Sequence, residues 1–301
     1  MDDSLGFYEV STKEKAYFAV RLIVSVVLYA LIIAVIGAMV TEGADGERAK
    51  ATFLIPAALF FFLLYILRNG LFIGLIKSFS VKLGEKQLPE VYKIVSDCSY
   101  RLGIKRTPNV YLLQAGGSLN AFSKKFFNSN YVVIYSDLLE AYYQGDKDAV
   151  EFVIAHELGH IKRNHFIKEL FLAPSAVVPF LAAAYYRGCE LTCDNIGKFF
   201  NPKGALSGLL MLAGGKVIYR ELNLEAYINQ EKTDASFWRW LVEKFLSHPN
   251  LYKRLLNVYD PTMVSKFKVS ASSKPYKYDT SEVLEKIVDA DKADYSRYMP
   301  K

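Results

Sequence analysis

The sequence predicts an α+β fold, mainly helical with a small antiparallel-edged sheet, preceded by a two-helix transmembrane hairpin. Three observations predict it: two long apolar runs near the N-terminus, a helix–strands–helix succession behind them, and one helical segment with histidines spaced four apart. Hydrophobic residues make up 52% of the 301 residues, and they gather in runs. This distribution is typical of a chain that combines membrane-spanning segments with one folded domain.

The two apolar runs are long enough to cross a bilayer as helices. Residues 22–40 contain no charge and no proline, and a second uncharged run covers residues 51–67 and resumes at 71–76. Since roughly 20 apolar residues span the hydrocarbon core, we expect spans at about 20–40 and 51–76. A cleaved signal peptide fits less well, because acidic residues precede the first run and a second span follows it.

The charges beside these runs predict how the chain crosses the membrane. The linker at residues 41–50 is mostly acidic, whereas the outer flanks are basic. The basic flanking residues are Lys13, Lys15, Arg21, Arg68, Lys77, Lys82 and Lys86. The positive-inside rule then places both termini and the folded domain in the cytoplasm. The net charge of +6 follows from this topology, and without a nucleic-acid-binding motif we expect no nucleic-acid partner.

Changes in composition divide the chain into four parts. These are a polar N-terminal lead at 1–15, the transmembrane hairpin at 16–76, a compact domain at 78–260 and a polar C-terminal tail at 261–301.

The pattern inside the compact domain predicts both helices and strands. Apolar residues at helical spacing predict a helix over 88–102. Three β-prone segments then predict strands at 110–113, 120–123 and 131–135. A helix from about 147 to 164 follows them, so the domain is expected to belong to the α+β class.

The helix at 147–164 contains an H-E-x-x-H motif, formed by His156, Glu157 and His160. Residues four apart lie on the same helix face, so both imidazoles can reach one metal ion. Glu157 lies at the edge of that face, where it can take a proton from the water that the metal activates. Chance occurrence is disfavoured, because the flanks are apolar and three of the four histidines lie within residues 156–165.

A catalytic zinc site needs a third protein ligand besides the two histidines. A third histidine at the metzincin position is excluded, because that residue is Phe166. His165 is one place away, and we expect it to be exposed or to cap a helix. Glu190, which follows an apolar run, is the best candidate for a carboxylate ligand from a later helix. Asp194, four residues on, can accept the free N–H of a ligand histidine.

Three cysteines, Cys98, Cys189 and Cys193, form no disulfide framework, which fits a reducing compartment. Cys189 and Cys193 could be imagined as thiolate ligands. Such closed Cys/His sites are structural, however, and a structural site here would give Glu157 no catalytic role. We therefore interpret both cysteines as packing residues.

Several short motifs, in order and spacing, resemble the HtpX-type and CAAX-prenyl-protease-type family of membrane gluzincins. The resemblance covers about residues 88–254. Its motifs are Pro108-x-Val110-Tyr111, Asn120-Ala121-Phe122 with residues 132–139, the H-E-x-x-H helix, Arg187-x-x-Glu190-x-x-x-Asp194, and Ser247-His248-Pro249 with Arg254. It implies a gluzincin-type zinc metalloendopeptidase with one Zn²⁺ per chain.

The resemblance also implies a role for each matching residue. His156, His160 and Glu190 would hold the zinc, Glu157 would be the general base, and Asp194 would support a ligand histidine. Asn120, Ala121 and Phe122 would form the edge strand on which the substrate backbone pairs. His248, with Arg254 nearby, would stabilise the oxyanion. The chain departs from the family at Ser123-Lys124-Lys125, where a small residue and a glycine are usual, and at Cys193, where alanine is usual.

Three further apolar segments lie in the second half of the chain. The run at 170–186 should not cross the membrane, because the residues before and after it must reach one metal and two crossings need roughly 40 residues. We expect a core element or a hairpin that dips into the cytoplasmic leaflet. Residues 204–215 are expected to form a core helix. The aromatic segment 237–246 is expected to pack in the core, with membrane contact as the alternative.

Together these observations predict a membrane-anchored zinc endopeptidase that cleaves membrane-associated or misfolded proteins at the cytoplasmic face. The partners are protein or peptide substrates and the lipid bilayer, and the oligomeric state stays open. One alternative is CAAX-type processing of lipidated C-termini. The resemblance disfavours it, because the family's CAAX-processing enzymes enclose a larger chamber between many membrane spans, whereas this chain has two predicted spans. The other is a non-catalytic peptidase-like membrane scaffold, which the complete set of ligands and base disfavours.

Overall fold

The computed structural model describes residues 8–41, 45–233 and 236–259. The tail expected at 261–301 lies outside the described residues, as do the first seven residues of the polar lead.

Two long helices open the fold, α1 (Thr12–Thr41) and α2 (Asp45–Phe79). Both are long and apolar enough to cross a membrane by length and composition, and most of their large apolar side chains are exposed. They extend beyond the runs at 20–40 and 51–76. The reason is visible at the start of α1, where Glu14 and Arg21 are buried against the folded domain.

A small four-stranded sheet follows, built from β1 (Ser80–Lys82), β2 (Asn109–Leu113), β3 (Ala121–Phe126) and β4 (Ser129–Tyr135). The strand order is β1-β2-β4-β3. The central strands β2 and β4 are parallel, and both outer strands pair antiparallel with their neighbours. The expected antiparallel edge is therefore confirmed at β3. β1 was not predicted, because three residues carry too little alternation to identify a strand.

Helices make up most of the rest of the chain. They are α3 (Pro89–Arg101), α4 (Ser136–Tyr143), α5 (Lys147–Lys162), α6 (His165–Phe171), α7 (Leu181–Phe200), α8 (Pro202–Ile218), α9 (Leu224–Thr233), α10 (Phe237–Phe245) and α11 (Leu251–Val258). Short 3-10 turns cover Ala173–Val177 and Tyr219–Glu221. The α+β class is confirmed.

Helix α5 lies at the centre of the domain, packed against α3, α4, α7, α8 and β3. Its residues are buried on nearly every side, which matches a helix that is apolar almost all round. Close contact with α8 depends on Gly204, where an added Cβ would lie only 1.9 Å from the carbonyl oxygen of Asp148. The close packing fixes α5 rigidly between its neighbours.

The apolar run at 170–186 does not form one continuous helix. Helix α6 ends at Phe171, the turn Ala173–Val177 contains Pro174, and α7 begins at Leu181 after Pro179. Proline lacks a backbone N–H and restricts the residue before it, so both prolines interrupt the helix. Ser175 and Leu172 of this segment are buried against α1.

The expectation that residues 237–246 pack in the core is wrong. Helix α10 exposes 63% of Phe237, 70% of Trp238 and 53% of Trp240, and among its residues only Glu243 is buried. The physical reason lies at its C-terminal end, where the guanidinium of Arg187 donates hydrogen bonds to the backbone carbonyls of Glu243 and Leu246, each 2.8 Å long. The helix is held by that end while its aromatic side chains face outward.

Candidate metal centre

Helices α5 and α7 bring three potential metal ligands together. His156 and His160 lie one turn apart on α5, and Glu190 faces them from α7. The Nε2 atom of His156 is 3.4 Å from Oε2 of Glu190, and the Nε2 atom of His160 is 3.4 Å from Oε1. One ligand atom from each residue falls within 4.8 Å of the others. The ligands that the sequence predicted therefore converge on one point.

These distances fit a bound metal ion. Zinc binds histidine nitrogen and carboxylate oxygen at about 2.0–2.2 Å, and the edge of a tetrahedron with such bonds is about 3.4 Å. Each of the two N···O separations given above, which run to different oxygens of the Glu190 carboxylate, is close to this length. The donor set of two imidazoles and one carboxylate is also the set that catalytic zinc prefers when one coordination position stays open.

Asp194 supports the first of the two histidines. Its Oδ1 atom lies 3.0 Å from Nδ1 of His156, and its side chain is completely buried. Arg254 of α11 donates to both oxygens of the same carboxylate, from Nε at 2.9 Å and from Nη2 at 2.7 Å. Burial alone would raise the pKa of Asp194, but the Arg254 charge and hydrogen bonds outweigh burial and lower it. Asp194 is therefore a carboxylate that can accept the His156 N–H.

His156 itself is strongly affected by this environment. Burial lowers the pKa of its imidazole, but hydrogen bonds to Asp194 and Glu190 outweigh burial and raise the pKa to about 10. In the metal-free protein the imidazole therefore carries a proton at neutral pH. The positive charge of this imidazole balances the negative charges of the buried carboxylates of Glu190 and Asp194. A bound metal cation would balance the same charges.

Glu157 lies beside the ligands on α5 and contacts the sheet. Its carboxylate accepts a hydrogen bond from the Ser123 hydroxyl of β3, with a distance of 2.9 Å. Both residues are buried. The sequence predicted Ser123 as part of the strand at 120–123 and as a departure from the family pattern, but no signal in the sequence linked it to Glu157.

The strand expected to bind substrate lies next to this contact. In the described part of the chain β3 pairs only with β4, so its other edge is open. The carbonyl of Asn120 accepts from the Tyr135 N–H, which turns the backbone groups of Asn120 toward β4. By the alternation of an antiparallel ladder, the backbone groups of Ala121 and Ser123 point to the open edge, whereas those of Phe122 point to β4.

His248 and Arg254 come from the C-terminal part of the domain. His248 lies between α10 and α11 with 65% of its side chain exposed, and its Nε2 atom is 3.6 Å from Oε1 of Glu190. The Nη2 atom of Arg254 is 3.8 Å from Oε2 of Glu190. The structure thus brings both residues to the candidate metal ligands, with Arg254 held mainly by Asp194.

The ligands face a cavity of about 1010 Å³. One wall is β3 with residues 119–127, and another is formed by α5 and α6. Helix α2 supplies a third wall through Phe62, Tyr65 and Ile66. The cavity therefore connects the candidate metal centre with one of the two long apolar helices.

The expectation for His165 is wrong. We expected it to be exposed or to cap a helix, but it is only 6% exposed and lies beneath the second ligand histidine. Its Nδ1 atom is 3.0 Å from Nδ1 of His160. The burial arises because α1 covers this face of α6, with Glu14 next to the imidazole. The three cysteines are free and buried, as packing residues are.

Comparison with known proteins agrees with this arrangement. Residues 85–178 match the model of a family described as Peptidase family M48. A curated relative, the plastoglobule-localized metallopeptidase 48 of Arabidopsis thaliana chloroplasts, is 30% identical over 145 residues, which cover 40% of this chain and 41% of the relative. The chain thus spans about two fifths of that relative. The matched region contains the H-E-x-x-H motif and ends before Glu190.

Proposed function

We propose that this chain, a member of peptidase family M48 by its match over residues 85–178, is a membrane-anchored, zinc-dependent endopeptidase. The observation that carries the proposal is the convergence of His156, His160 and Glu190, with 3.4 Å between paired ligand atoms, in the wall of a large cavity. We assign one zinc ion per chain to these three ligands.

The residues around the ligands support hydrolysis of a peptide bond. When bound, zinc supplies Lewis-acid activation of the attacking water and of the scissile carbonyl. Glu157 acts as general base, accepts a proton from that water and later donates it to the leaving amine. The Ser123 hydroxyl holds one carboxylate oxygen of Glu157, which leaves the other oxygen for the proton transfer.

The open edge of β3 suits an extended peptide. The C=O of Ala121 and the N–H and C=O of Ser123 can pair with the substrate main chain, whereas the Ala121 N–H already donates to the side chain of Asn120 at 2.9 Å. We assign Asn120 and Phe122 to the same substrate-binding edge. Main-chain pairing gives affinity with little dependence on substrate sequence. His248, 3.6 Å from Glu190 and exposed toward the cavity side of the ligands, is assigned to stabilise the oxyanion that forms during attack. Arg254 supports this region through Asp194.

The apolar helices support a location in a membrane. We assign α1 and α2 to a hairpin within residues 16–76, followed by a peptidase domain at 78–260, with both termini and the metal centre in the cytoplasm. The exposed aromatic side chains of α10 fit the headgroup region of the same bilayer. Phe180 and Phe245, whose rings are 4.9 Å apart, join α10 to the apolar segment before α7.

The cavity also suggests the class of substrate. Its wall from α2 is formed by Phe62, Tyr65 and Ile66 next to Arg68 and Asn69, and the apolar part of this wall continues into the proposed membrane span. Protein segments that emerge from the membrane, or misfolded proteins with exposed apolar residues, can enter there without losing apolar contacts. We therefore propose membrane-associated or misfolded proteins as substrates.

The test compares detergent-purified wild type with Glu157→Gln and with Glu151→Gln, which changes a glutamate of the same helix away from the ligands. We expect one zinc per chain in all three proteins and cleavage of casein by all except Glu157→Gln. Zinc in all three without cleavage by any of them would favour the scaffold alternative. An absence of zinc from the reconstituted wild type would exclude the proposed site.

A further inference from the structure

A buried polar chain joins the start of α1 to the second ligand histidine. The Nδ1 atom of His165 is 3.0 Å from Nδ1 of His160, and the Nε2 atom of His165 is 3.3 Å from Oε1 of Glu14. Glu14 and His165 are 1% and 6% exposed. The first ligand histidine is supported differently, because His156 contacts the carboxylate of Asp194 directly.

The order of donors and acceptors along this chain follows from the ligand geometry. The Nε2 atom of His160 points to Glu190 and is the metal-binding nitrogen. A metal-bound neutral imidazole then carries its proton on Nδ1. That N–H can donate to Nδ1 of His165, which in turn leaves the proton of His165 on Nε2, facing Glu14. Both histidines are neutral in this arrangement, and the carboxylate of Glu14 accepts the last hydrogen bond.

The surroundings of Glu14 and His165 suit these roles. Glu14 also accepts from Arg163 at 3.1 Å and is 3.4 Å from the Lys168 ammonium, so it is held as a carboxylate. His165 is buried between His160 and Glu14, so that each of its ring nitrogens faces one of these two residues.

The backbone also holds Glu14 in place. Helices α1 and α7 approach closely at Gly188, where an added Cβ would lie 2.6 Å from the backbone nitrogen of Glu14. Next to this contact, the Ser11 N–H donates to the hydroxyl of Thr192 at 3.0 Å. The position of Glu14 is thus fixed relative to the helix that supplies the ligand Glu190.

A second metal ion in this place is the competing explanation. Glu14, His165 and Cys189 have ligand atoms within 4.8 Å of one another. However, the cationic side chains of Arg163 and Lys168 already occupy the same carboxylate oxygen. A metal cation there would be repelled by both charges. We therefore assign the cluster to the support of His160.

We propose that His165 and Glu14 are positioning residues that orient His160 for the metal, so that the first turn of α1 is part of the metal centre. The proposal rests on the zinc site proposed above. Its consequence is that a segment next to the proposed membrane span determines metal affinity. Outer partners of ligand histidines commonly contribute about 10- to 100-fold to metal affinity.

The test measures zinc dissociation constants by competition with a chromophoric chelator. His165→Phe retains a buried ring but removes the acceptor, and we expect zinc binding about 10- to 100-fold weaker than in the wild type. His165→Gln offers an amide oxygen to Nδ1 of His160 and should recover part of the loss. Glu14→Gln should weaken binding to a smaller extent, because its amide oxygen still accepts from His165 but lacks the charge.

The matched control is Glu169→Gln. It removes another ion pair between α1 and α6, in which Arg21 donates to Glu169 at 2.6 Å, and it changes no residue of the chain formed by His160, His165 and Glu14. We expect its zinc affinity to equal that of the wild type. Cobalt substitution gives a second measurement, because the visible spectrum reports the ligand geometry. The spectrum should change in the His165 variants, to a smaller extent in Glu14→Gln, and not in Glu169→Gln.

Each outcome decides between the explanations. Zinc affinity in His165→Phe and Glu14→Gln equal to that of the wild type would overturn the proposal and leave the zinc site intact. A wild type without zinc would instead overturn the proposed function, and the positioning roles with it. Should His165→Phe not fold, Glu14→Gln and His165→Gln give the same comparison, with the melting temperature of the metal-free proteins as a check on structure.

Discussion

Arg254 and Asp194 form a two-point ion pair directly behind the candidate ligand His156. The guanidinium donates to both carboxylate oxygens at 2.9 and 2.7 Å, and the same carboxylate lies 3.0 Å from the imidazole. The pair joins α11 to α7 across sixty residues of sequence. It fixes the carboxylate at a single orientation, which in turn fixes the ring that faces the metal.

The first prediction concerns this pair. Asp194→Asn keeps the size of the side chain but removes the charge that supports His156, so we expect zinc binding weaker by about 10- to 100-fold. Arg254→Lys keeps the charge but loses the two-point contact, and its loss should be smaller. Lys253→Met, on the same helix but paired with Glu243, is the control with unchanged affinity. Unchanged zinc affinity in Asp194→Asn would contradict the role given to the pair.

A second prediction concerns the pH dependence of metal binding. Because the pKa of His156 is raised to about 10 in the metal-free protein, the imidazole must lose a proton before it can bind zinc. Below that pKa, zinc affinity should rise with pH by about tenfold per pH unit for this proton. Calorimetry in buffers of different ionisation enthalpy should detect about one released proton at His156. A binding reaction at neutral pH that releases no proton would show that the His156 imidazole is not protonated in the metal-free protein.

A third prediction concerns the hydrogen bond between Ser123 and Glu157. Hydrogen bonds to charged groups contribute about 1.5–3 kcal/mol, so Ser123→Ala should lower kcat by about tenfold or more as the carboxylate loses its fixed position. KM and zinc content should change little, because neither the strand backbone nor the ligands are altered. Ser207→Ala, on α8 away from the cavity, is the matched control. An Ser123→Ala enzyme with wild-type kcat would exclude a role for this contact.

A fourth prediction concerns the close approach of α1 and α7. Gly188→Ala introduces a methyl group only 2.6 Å from the backbone of Glu14, so α1 must move away from α7. We expect the free energy of unfolding to fall by about 1–3 kcal/mol, which lowers the melting temperature, and we expect weaker zinc binding. Gly74→Ala, where the added Cβ meets no atom within 4 Å, should lower neither quantity. A Gly188→Ala protein with lower stability but wild-type zinc affinity would show that the position of α1 does not affect the metal centre.

A fifth prediction concerns α10, which contains both tryptophans of the chain, Trp238 and Trp240. In liposomes, brominated lipids should quench their fluorescence, because both rings are exposed and we propose that they lie in the headgroup region. Trp238→Glu should reduce the quenching of the remaining tryptophan. Quenching by an aqueous quencher alone, with no effect of the lipid, would place α10 away from the membrane.

Local patterns predicted the parts of this structure that depend on neighbouring residues. The helix expected at 147–164 is observed as Lys147–Lys162, because apolar spacing and the H-E-x-x-H motif act within one element. The strand expected at 120–123 extends to Phe126, since its pairing continues along β4 to Ser129. The extension depends on a partner strand, which local alternation does not describe.

Contacts between distant segments escaped prediction. Glu14 and His165 are separated by 151 positions. No local pattern around either residue predicts that they are in contact. The orientation of α10 was also not predictable. Its periodicity indicates one apolar face, but it does not show that Arg187 binds the C-terminal end of the helix and so directs this face outward. Sequence patterns identified the candidate ligands, whereas the residues that contact them became visible only through tertiary packing.

The most direct test of the proposed metal centre is the zinc content of the wild type and of Glu190→Ala, since Glu190 lies beyond the residues matched to the peptidase family. The proposal predicts one zinc per chain and casein cleavage for the wild type, with loss of both in Glu190→Ala while the chain remains folded. A Glu190→Ala protein that keeps its zinc and its activity would contradict it.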